Sequence, residues 1–351
     1  MQPDVAIIGG GPSGCAAALA LLSRGHSVVV IAAPAHKEKP TETAAPALAH
    51  LLRSLGAKDA LSACEPCHGI ESAWGRTVPA FQPSIMNPSG HAWFIHRSRF
   101  DSCLRSATTD SGAAWMIDKA RSVSFLPDSV SIVTTGQTVR ARWTILATGS
   151  PESAARLTGQ KVNRMDSMVA FWARLPTPFE QRLLLVEPAE QGWWYLCPAD
   201  GPGAIACFVT DPASARALRP SDPTVWNALF RSTRISRQTG GRPSMEHVHG
   251  ALTGLAALPR IIGKHWIAAG DAAAKLDPLG SSGTMTALDS GRRAAYAIAA
   301  ALRGDSAGLE LYSKWYIGLV EEFALQRLQQ YEYETRWQAN EFWSRRILAV
   351  A

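Results

Sequence analysis

The sequence predicts an α/β chain. A mostly parallel sheet with its helices is interrupted by a second, mainly antiparallel sheet and followed by C-terminal helices. Three observations carry this. An apolar run, Val5 to Ile8, leads into Gly9-Gly10-Gly11-Pro12-Ser13-Gly14, an Ala/Leu-rich helical stretch to about Ser23, and a second apolar run, Val28 to Ile31. Residues Met168 to Leu175 and Leu183 to Thr210 alternate without helical periodicity, which reads as antiparallel strands. A later apolar strand ends in Gly270-Asp271 and is followed by Asp277-Pro278-Leu279-Gly280-Ser281-Ser282-Gly283 and a long Ala-rich helix. The first domain is therefore discontinuous: 1–70, 97–160 and 250–308, with 71–96 and 161–249 in the second and 309–351 as C-terminal helices.

Composition sets bounds on function. Of 351 residues, 46% are apolar and 18% charged, an ordinary globular balance, and the net charge is +6. No Lys/Arg run accompanies that charge, so no nucleic-acid partner is expected. No uninterrupted apolar stretch approaches membrane-spanning length, so no membrane partner is expected either. The first residues lack the basic start of a secretory signal, and a cytoplasmic location with reduced thiols is the expectation. Cys64 and Cys67 form a lone CxxC without a second pair, so no metal site is expected.

Each glycine of the opening turn has a reason. Gly9 permits the sharp exit from the strand, Gly11 lets backbone approach a pyrophosphate, and Gly14 lets the helix pack closely on the sheet. The helix N-terminus presents unpaired N–H groups and a positive dipole end to phosphate. With strand, turn, helix and strand in this order the unit is a Rossmann-like dinucleotide site. One element is missing. The second strand of such units commonly ends in an acid that holds the ribose, and here it runs into Ala32-Ala33-Pro34. Looser retention of the dinucleotide is expected.

Further along, Thr41-Glu42-Thr43 precedes an amphipathic helix closed by Gly56, where an acid suits the dipole end. Residues 74–95 read as loops and short strands, and His96 to Asp101 opens a helix carrying Arg97 and Arg99. Segments around Val123, Val130 to Val133 and Trp143 to Leu146 read as strands returning to the first sheet. Residues 211–244 read as a polar, partly mobile connection. Residues 309–349 read as a helix pair whose aromatics pack on the body, with a partner or substrate surface as the alternative.

These motifs resemble the FAD-dependent monooxygenases of the aromatic-hydroxylase type. Within them the chain is most similar to the branch of flavin-dependent halogenases and of the flavoprotein maturation factors of tryptophylquinone-containing oxidases. The matching segments are GGGPSG at 9–14, TETAAP at 41–46, NPSGHAWFIHRSRFD at 87–101, LATG at 146–149, GWWYLCPADG at 192–201, GDAAAKLDPLGSSG at 270–283 and YEYETRWQANEFWSRR at 331–346. The resemblance implies an aromatic-hydroxylase-like fold with a discontinuous FAD-binding domain. It implies that Gly9, Gly11, Pro12, Ser13 and Gly14 wrap the pyrophosphate, with Arg97 on the diphosphate side and Val123 at the adenine. Gly270 and Asp271 would serve the ribityl and phosphate region. Pro278, Gly280, Ser281, Ser282 and Gly283 would face the flavin ring.

The resemblance implies hydroxylation of an electron-rich ring by a flavin C4a-hydroperoxide, with a tryptophan of a partner polypeptide, an amine or amino-acid oxidase subunit, as the target. Glu42 is the candidate base, and Trp193 and Trp194 are candidates for the substrate face. Two departures narrow the expectation. No WxWxIP motif is present and Gly69 to Gly75 has no lysine, which disfavours halogenation. Leu146 to Ser150 lacks the first acid of the motif that serves NADPH in hydroxylases, so a separate flavin reductase is expected. The alternatives are a hydroxylase of a free indole, pyrrole or phenol and a non-catalytic flavin-binding assembly factor.

Overall fold

The computed structural model describes residues 2–34, 39–177, 179–240 and 247–348. Its first sheet has six strands, in the order Ile262–Gly263, Trp266–Ala268, Trp143–Leu146, Val5–Ile8, Val28–Ala32 and Ala114–Ile117. All pairings are parallel except that of the edge strand Ile262–Gly263. Val5–Ile8 lies at the centre, buried on both faces, which is why it reads as a continuous apolar run. Helix Pro12–Leu22 packs against helix Gly283–Ala301. A Cβ at Gly291 would stand 2.1 Å from Ser13 O, so this crossing requires glycine.

The strands around Val123 depart from expectation. Ala120–Phe125, Val130–Thr134 and Thr138–Ala141 form a separate antiparallel meander instead of joining the first sheet. Only Trp143–Leu146 returns to it.

The second sheet has seven strands in the order His249–Thr253, Met168–Leu175, Ala204–Thr210, Gly192–Pro198, Leu183–Ala189, Gly69–Ser72 and Ala80–Pro83. Only the pairing of Leu183–Ala189 with Gly69–Ser72 is parallel. Its strands alternate between two apolar clusters. Trp172, Trp193, Cys197 and Cys207 face one side, and Trp194, Leu196 and Phe208 face the other, with Trp226 and Phe230.

The connection 211–244 is more ordered than its polarity suggests. Helices Pro212–Leu218 and Pro223–Arg231 each begin with an Asp-Pro pair, Asp211 and Asp222 accepting from backbone N–H groups as N-caps. Residues 241–244 lie outside the described residues. A three-stranded sheet of Glu42–Ala44, Ala92–Ile95 and Cys64–Cys67 adjoins the two larger ones. Cys64 and Cys67 stand three apart on an extended strand, so their thiols point to opposite faces. Burial pushes the Cys64 thiol up to about 12.

Helices Ala307–Tyr333 and Glu341–Leu348 follow, and the longer one touches both sheet systems. Its first half docks on the parallel sheet, where Tyr312 donates to Ala268 O at 2.7 Å and Tyr316 to Gly270 O at 2.8 Å. Its last turn and the final helix bury Tyr331, Phe342 and Trp343 beneath the antiparallel sheet. No described helix is long and apolar enough to cross a membrane.

Candidate active site

A cavity of about 780 Å³ lies where the parallel sheet, the antiparallel sheet and the start of helix Gly283–Ala301 meet. Gly11, Pro12 and Ser13 form one wall. Three of the expected glycines stand behind the walls as close-packing residues. A Cβ at Gly9, where φ is +120°, would stand 2.0 Å from Ala147 O, and one at Gly14 would stand 1.9 Å from Gly9 O. One at Gly270 would meet Ser13 Cβ at 2.9 Å. Gly11 differs: nothing lies within 4 Å of where its Cβ would be, so its bare backbone faces open space.

Both helices that begin at the cavity, Pro12–Leu22 and Gly283–Ala301, lack a side-chain N-cap, which leaves first-turn N–H groups for a ligand. Two buried hydroxyls beside them, Ser13 Oγ and Ser282 Oγ, have no hydrogen-bond partner, and both residues line the cavity. Unpaired buried hydroxyls are costly unless a ligand completes them. A dinucleotide with a phosphate bridge and a polar ring edge fits this donor set. The acid absent after Val28–Ala32 is not replaced at Ala33 or Pro34, which are exposed, and residues 35–38 lie outside the described residues.

The cavity holds a buried cation flanked by acids. Arg97 opens helix Arg97–Asp110 and is buried, whereas Arg99 is half-exposed and pairs with Asp200 at 3.1 Å. Arg97 grips Asp101 through Nε and Nη2, each at 3.1 Å, and donates through Nη1 to Glu42 Oε1. Glu42 Oε2 accepts from Thr284 Oγ1 at 2.5 Å. Burial opposes the charge on Arg97, but Glu42 and Asp101 outweigh it and hold the guanidinium above its ordinary value. Lys39, also on the wall, donates to Asp101 at 2.8 Å.

Asp271 faces the same space. Burial pushes its carboxyl up to about 6, opposed by nearby Lys275 and reinforced by Glu42. It makes no side-chain hydrogen bond among the described residues, so it too is free to meet a ligand hydroxyl.

The turn Pro278–Gly280, Ser281, Ser282 and Gly283 closes this end. Gly280 points away from the cavity, and a Cβ there would strike the Phe323 ring at 2.5 Å. Ser281 takes a φ of +48°, a left-handed conformation that turns the backbone into the helix start. The facing wall comes from the antiparallel sheet: Trp172, Leu184, Val186, Trp193, Tyr195 and Cys197.

Two expected positions fall elsewhere. Trp194 is fully buried on the opposite face of its strand, stacked on Phe208 at 4.7 Å between ring centroids, because successive strand residues alternate faces. It does not line the cavity. Val123 pairs with Ile132 in the meander and packs its side chain on the core, away from the cavity lining. Several wall residues were not among the sequence candidates. Thr284 follows directly on the GSSG run and Tyr195 shares the parity of Trp193, so both were within reach of pattern reading. Lys39 carried no sequence signal.

The fold and this cavity define a flavin-dependent oxidoreductase of the monooxygenase type. The chain belongs to the FAD-binding domain family, whose model matches residues 2–315, and FAD is its cofactor. It is similar to a putative FAD-dependent oxidoreductase, LodB, of Marinomonas mediterranea, at 26% identity over 98% of this chain and 96% of that protein. A menaquinone reductase of Mycolicibacterium smegmatis is 28% identical over 84% of this chain and 76% of its own length. Among solved structures, the peptidyl tryptophan dihydroxylase QhpG, essential for tryptophylquinone cofactor biogenesis, superposes with a TM-score of 0.82 at 22% identity, covering 99% of this chain and 79% of that one. The chondrochloren halogenase CndH superposes with a TM-score of 0.88 at 20% identity, covering 98% and 86%. These two likenesses establish the fold.

Proposed function

We propose that this chain hydroxylates an electron-rich aromatic ring, foremost a tryptophan side chain of a partner polypeptide, during quinone-cofactor biogenesis. The observation that carries the reading is the wall of Trp172, Trp193, Tyr195, Leu184 and Val186 facing the flavin-binding turn. Such a wall excludes water and takes an aromatic ring by edge and face contacts. The likeness to QhpG, a peptidyl tryptophan dihydroxylase, supports a polypeptide substrate, as does the cavity margin. There Gly250, Ala251 and Leu252 line the space yet are exposed, leaving a rim that bulky substrate can reach.

FAD, when bound and reduced, supplies the activation of dioxygen. The chain's own residues do the rest. Gly11, Ser13 and the uncapped helix start would hold the diphosphate, Asp271 would meet the ribityl chain, and the 278–283 turn would hold the flavin ring edge. Glu42 is the acceptor for the proton lost from the substrate ring. Arg97 and Thr284 each donate to one oxygen, which leaves a second lone pair on each to accept that proton. The 146–150 segment carries no acid, and Ser150 caps the helix that follows by accepting from Ser153 N; this supports the reading in which a separate flavin reductase supplies the reducing equivalents.

A free small aromatic is the second reading. It is favoured by the full burial of Trp193 and Cys197 on the cavity wall, where a small ring would be enclosed. Incubation with chemically reduced FAD, oxygen and either a tryptophan-containing oxidase subunit or free indole separates the two. Oxygen gained by a peptide tryptophan supports the first reading, and oxygen gained only by indole replaces it with the second.

A further inference from the structure

Trp193 and the flavin-facing turn are joined behind the cavity through Asp277, at its wall, and through Tyr331 and Arg327, which do not line it. Trp193 Nε1 donates to Tyr331 Oη at 3.1 Å, and Tyr331 Oη donates in turn to Asp277 Oδ2 at 3.3 Å. The other oxygen of Asp277 accepts from Leu279 N at 2.9 Å and so fixes the turn that follows. Arg327 Nε donates to Asp277 Oδ2 at 2.6 Å while its Nη2 reaches Asp166, which also pairs with Arg346 at 3.3 Å. Trp193, Asp277, Arg327, Tyr331 and Arg346 are all buried.

This arrangement has a direction. A phenol has one proton, so Tyr331 can accept from Trp193 and still donate to Asp277. It is also expensive: buried ion pairs recover little more than their desolvation, and an apolar cluster of the same volume would stabilise the helix as well. What apolar packing would not do is tie the Trp193 ring and the Leu279 backbone to one carboxylate.

We propose that Tyr331, Arg327 and Asp277 form a positioning relay that sets the flavin-facing turn and the Trp193 wall against each other across the cavity. The C-terminal helix thereby takes part in shaping the flavin site without contacting it. The relay concerns bound FAD and holds for either substrate reading.

Tyr331→Phe removes both hydrogen bonds and keeps the ring; Trp193→Phe removes the first bond from the other end. The test measures the FAD dissociation constant and the visible circular dichroism of the bound flavin in both single variants and in the double variant. A relay is expected to weaken FAD by about fivefold in Tyr331→Phe and to change the flavin band in both singles. In the double-mutant cycle the effect of Tyr331→Phe is expected to be smaller in the Trp193→Phe background than in the parent, because the two substitutions cut one chain. Wild-type affinity and spectrum in Tyr331→Phe, or effects that simply add in the double variant, overturn the proposal. If Tyr331→Phe does not fold, as shown by its thermal melt, Arg327→Lys takes its place, because Arg327 bonds Asp277 without lining the cavity: an unchanged flavin band and FAD affinity overturn the relay and a changed band upholds it.

Discussion

Arg97 donates to Glu42 on the wall of the flavin cavity, joining the helix that begins at His96 to the strand Glu42–Ala44. The acid of the TETAAP segment and the arginine of the HRSRFD segment, 55 residues apart, are thus one unit. Glu42→Gln keeps one acceptor oxygen for Arg97, and its NH2 can donate to the Thr284 hydroxyl in place of accepting from it, but it cannot hold the ring proton. Turnover is expected to fall by about 100-fold, with FAD affinity within about threefold of the parent. Steady-state kinetics beside a flavin-binding titration checks this, and undiminished turnover removes Glu42 as the proton acceptor.

Arg97 holds two acids together in the structure. Arg97→Met leaves Asp101 with Lys39 alone and Glu42 with Thr284 alone, two carboxylates that share one buried cation in the parent. Loss of about 3 kcal/mol of stability is expected in chemical denaturation of the FAD-free protein. A loss below about 1 kcal/mol would show that water replaces the guanidinium without difficulty.

The glycines of the turn separate by what stands beside them. Gly11→Ala is expected to fold like the parent and to bind FAD at least about tenfold more weakly, since its new methyl enters the space meant for the pyrophosphate. Gly9→Ala is expected to fail to fold, because it meets both a carbonyl and a left-handed φ. Thermal melts with and without FAD read both. The same logic covers the unpaired hydroxyls. Ser13→Ala and Ser282→Ala are expected to leave the FAD-free melt unchanged or raised, while weakening FAD by about fivefold each.

Asp271 gives a pH signature. Its folded carboxyl is raised to about 6 from the ordinary 3.8, so the folded FAD-free protein holds this proton more tightly than the unfolded chain. The sign is therefore that stability falls as pH rises through about 4 to 6 and levels off above. Asp271→Asn is expected to be more stable than the parent above that window, by on the order of 3 kcal/mol, and equal to it below. Parallel pH dependences in the two proteins would show that Asp271 is solvated in the FAD-free state.

Much of the site was legible where backbone geometry dictates residue type. Gly9, Gly14 and Gly270 are readable because no side chain fits their places, and Asp271 because the Gly-Asp pair follows a strand of the parallel sheet. Alternation along Gly192–Pro198 is equally visible, and it puts Trp193 and Trp194 on opposite faces. Which face meets the cofactor depends on where helices Pro223–Arg231 and Ala307–Tyr333 settle, and that is tertiary. The polarity of 211–240 concealed two capped helices, although the Asp-Pro pairs at 211 and 222 marked their starts. The aromatic tail was recognisable as a motif, but its hydrogen bonds to Trp193 and Asp277 span 138 and 54 residues and follow no local pattern.

The central claim is that this chain uses FAD to place oxygen on an aromatic ring. It is tested most directly by mixing the reduced, FAD-loaded protein with isotopically labelled dioxygen and a tryptophan-containing partner polypeptide. Mass spectrometry of the digested partner then shows where the label goes. The account predicts one or two labelled oxygen atoms on a single tryptophan, with the label lost when Glu42 is replaced by Gln. Quantitative release of labelled peroxide, with no label on any tryptophan or on added free indole, would contradict it.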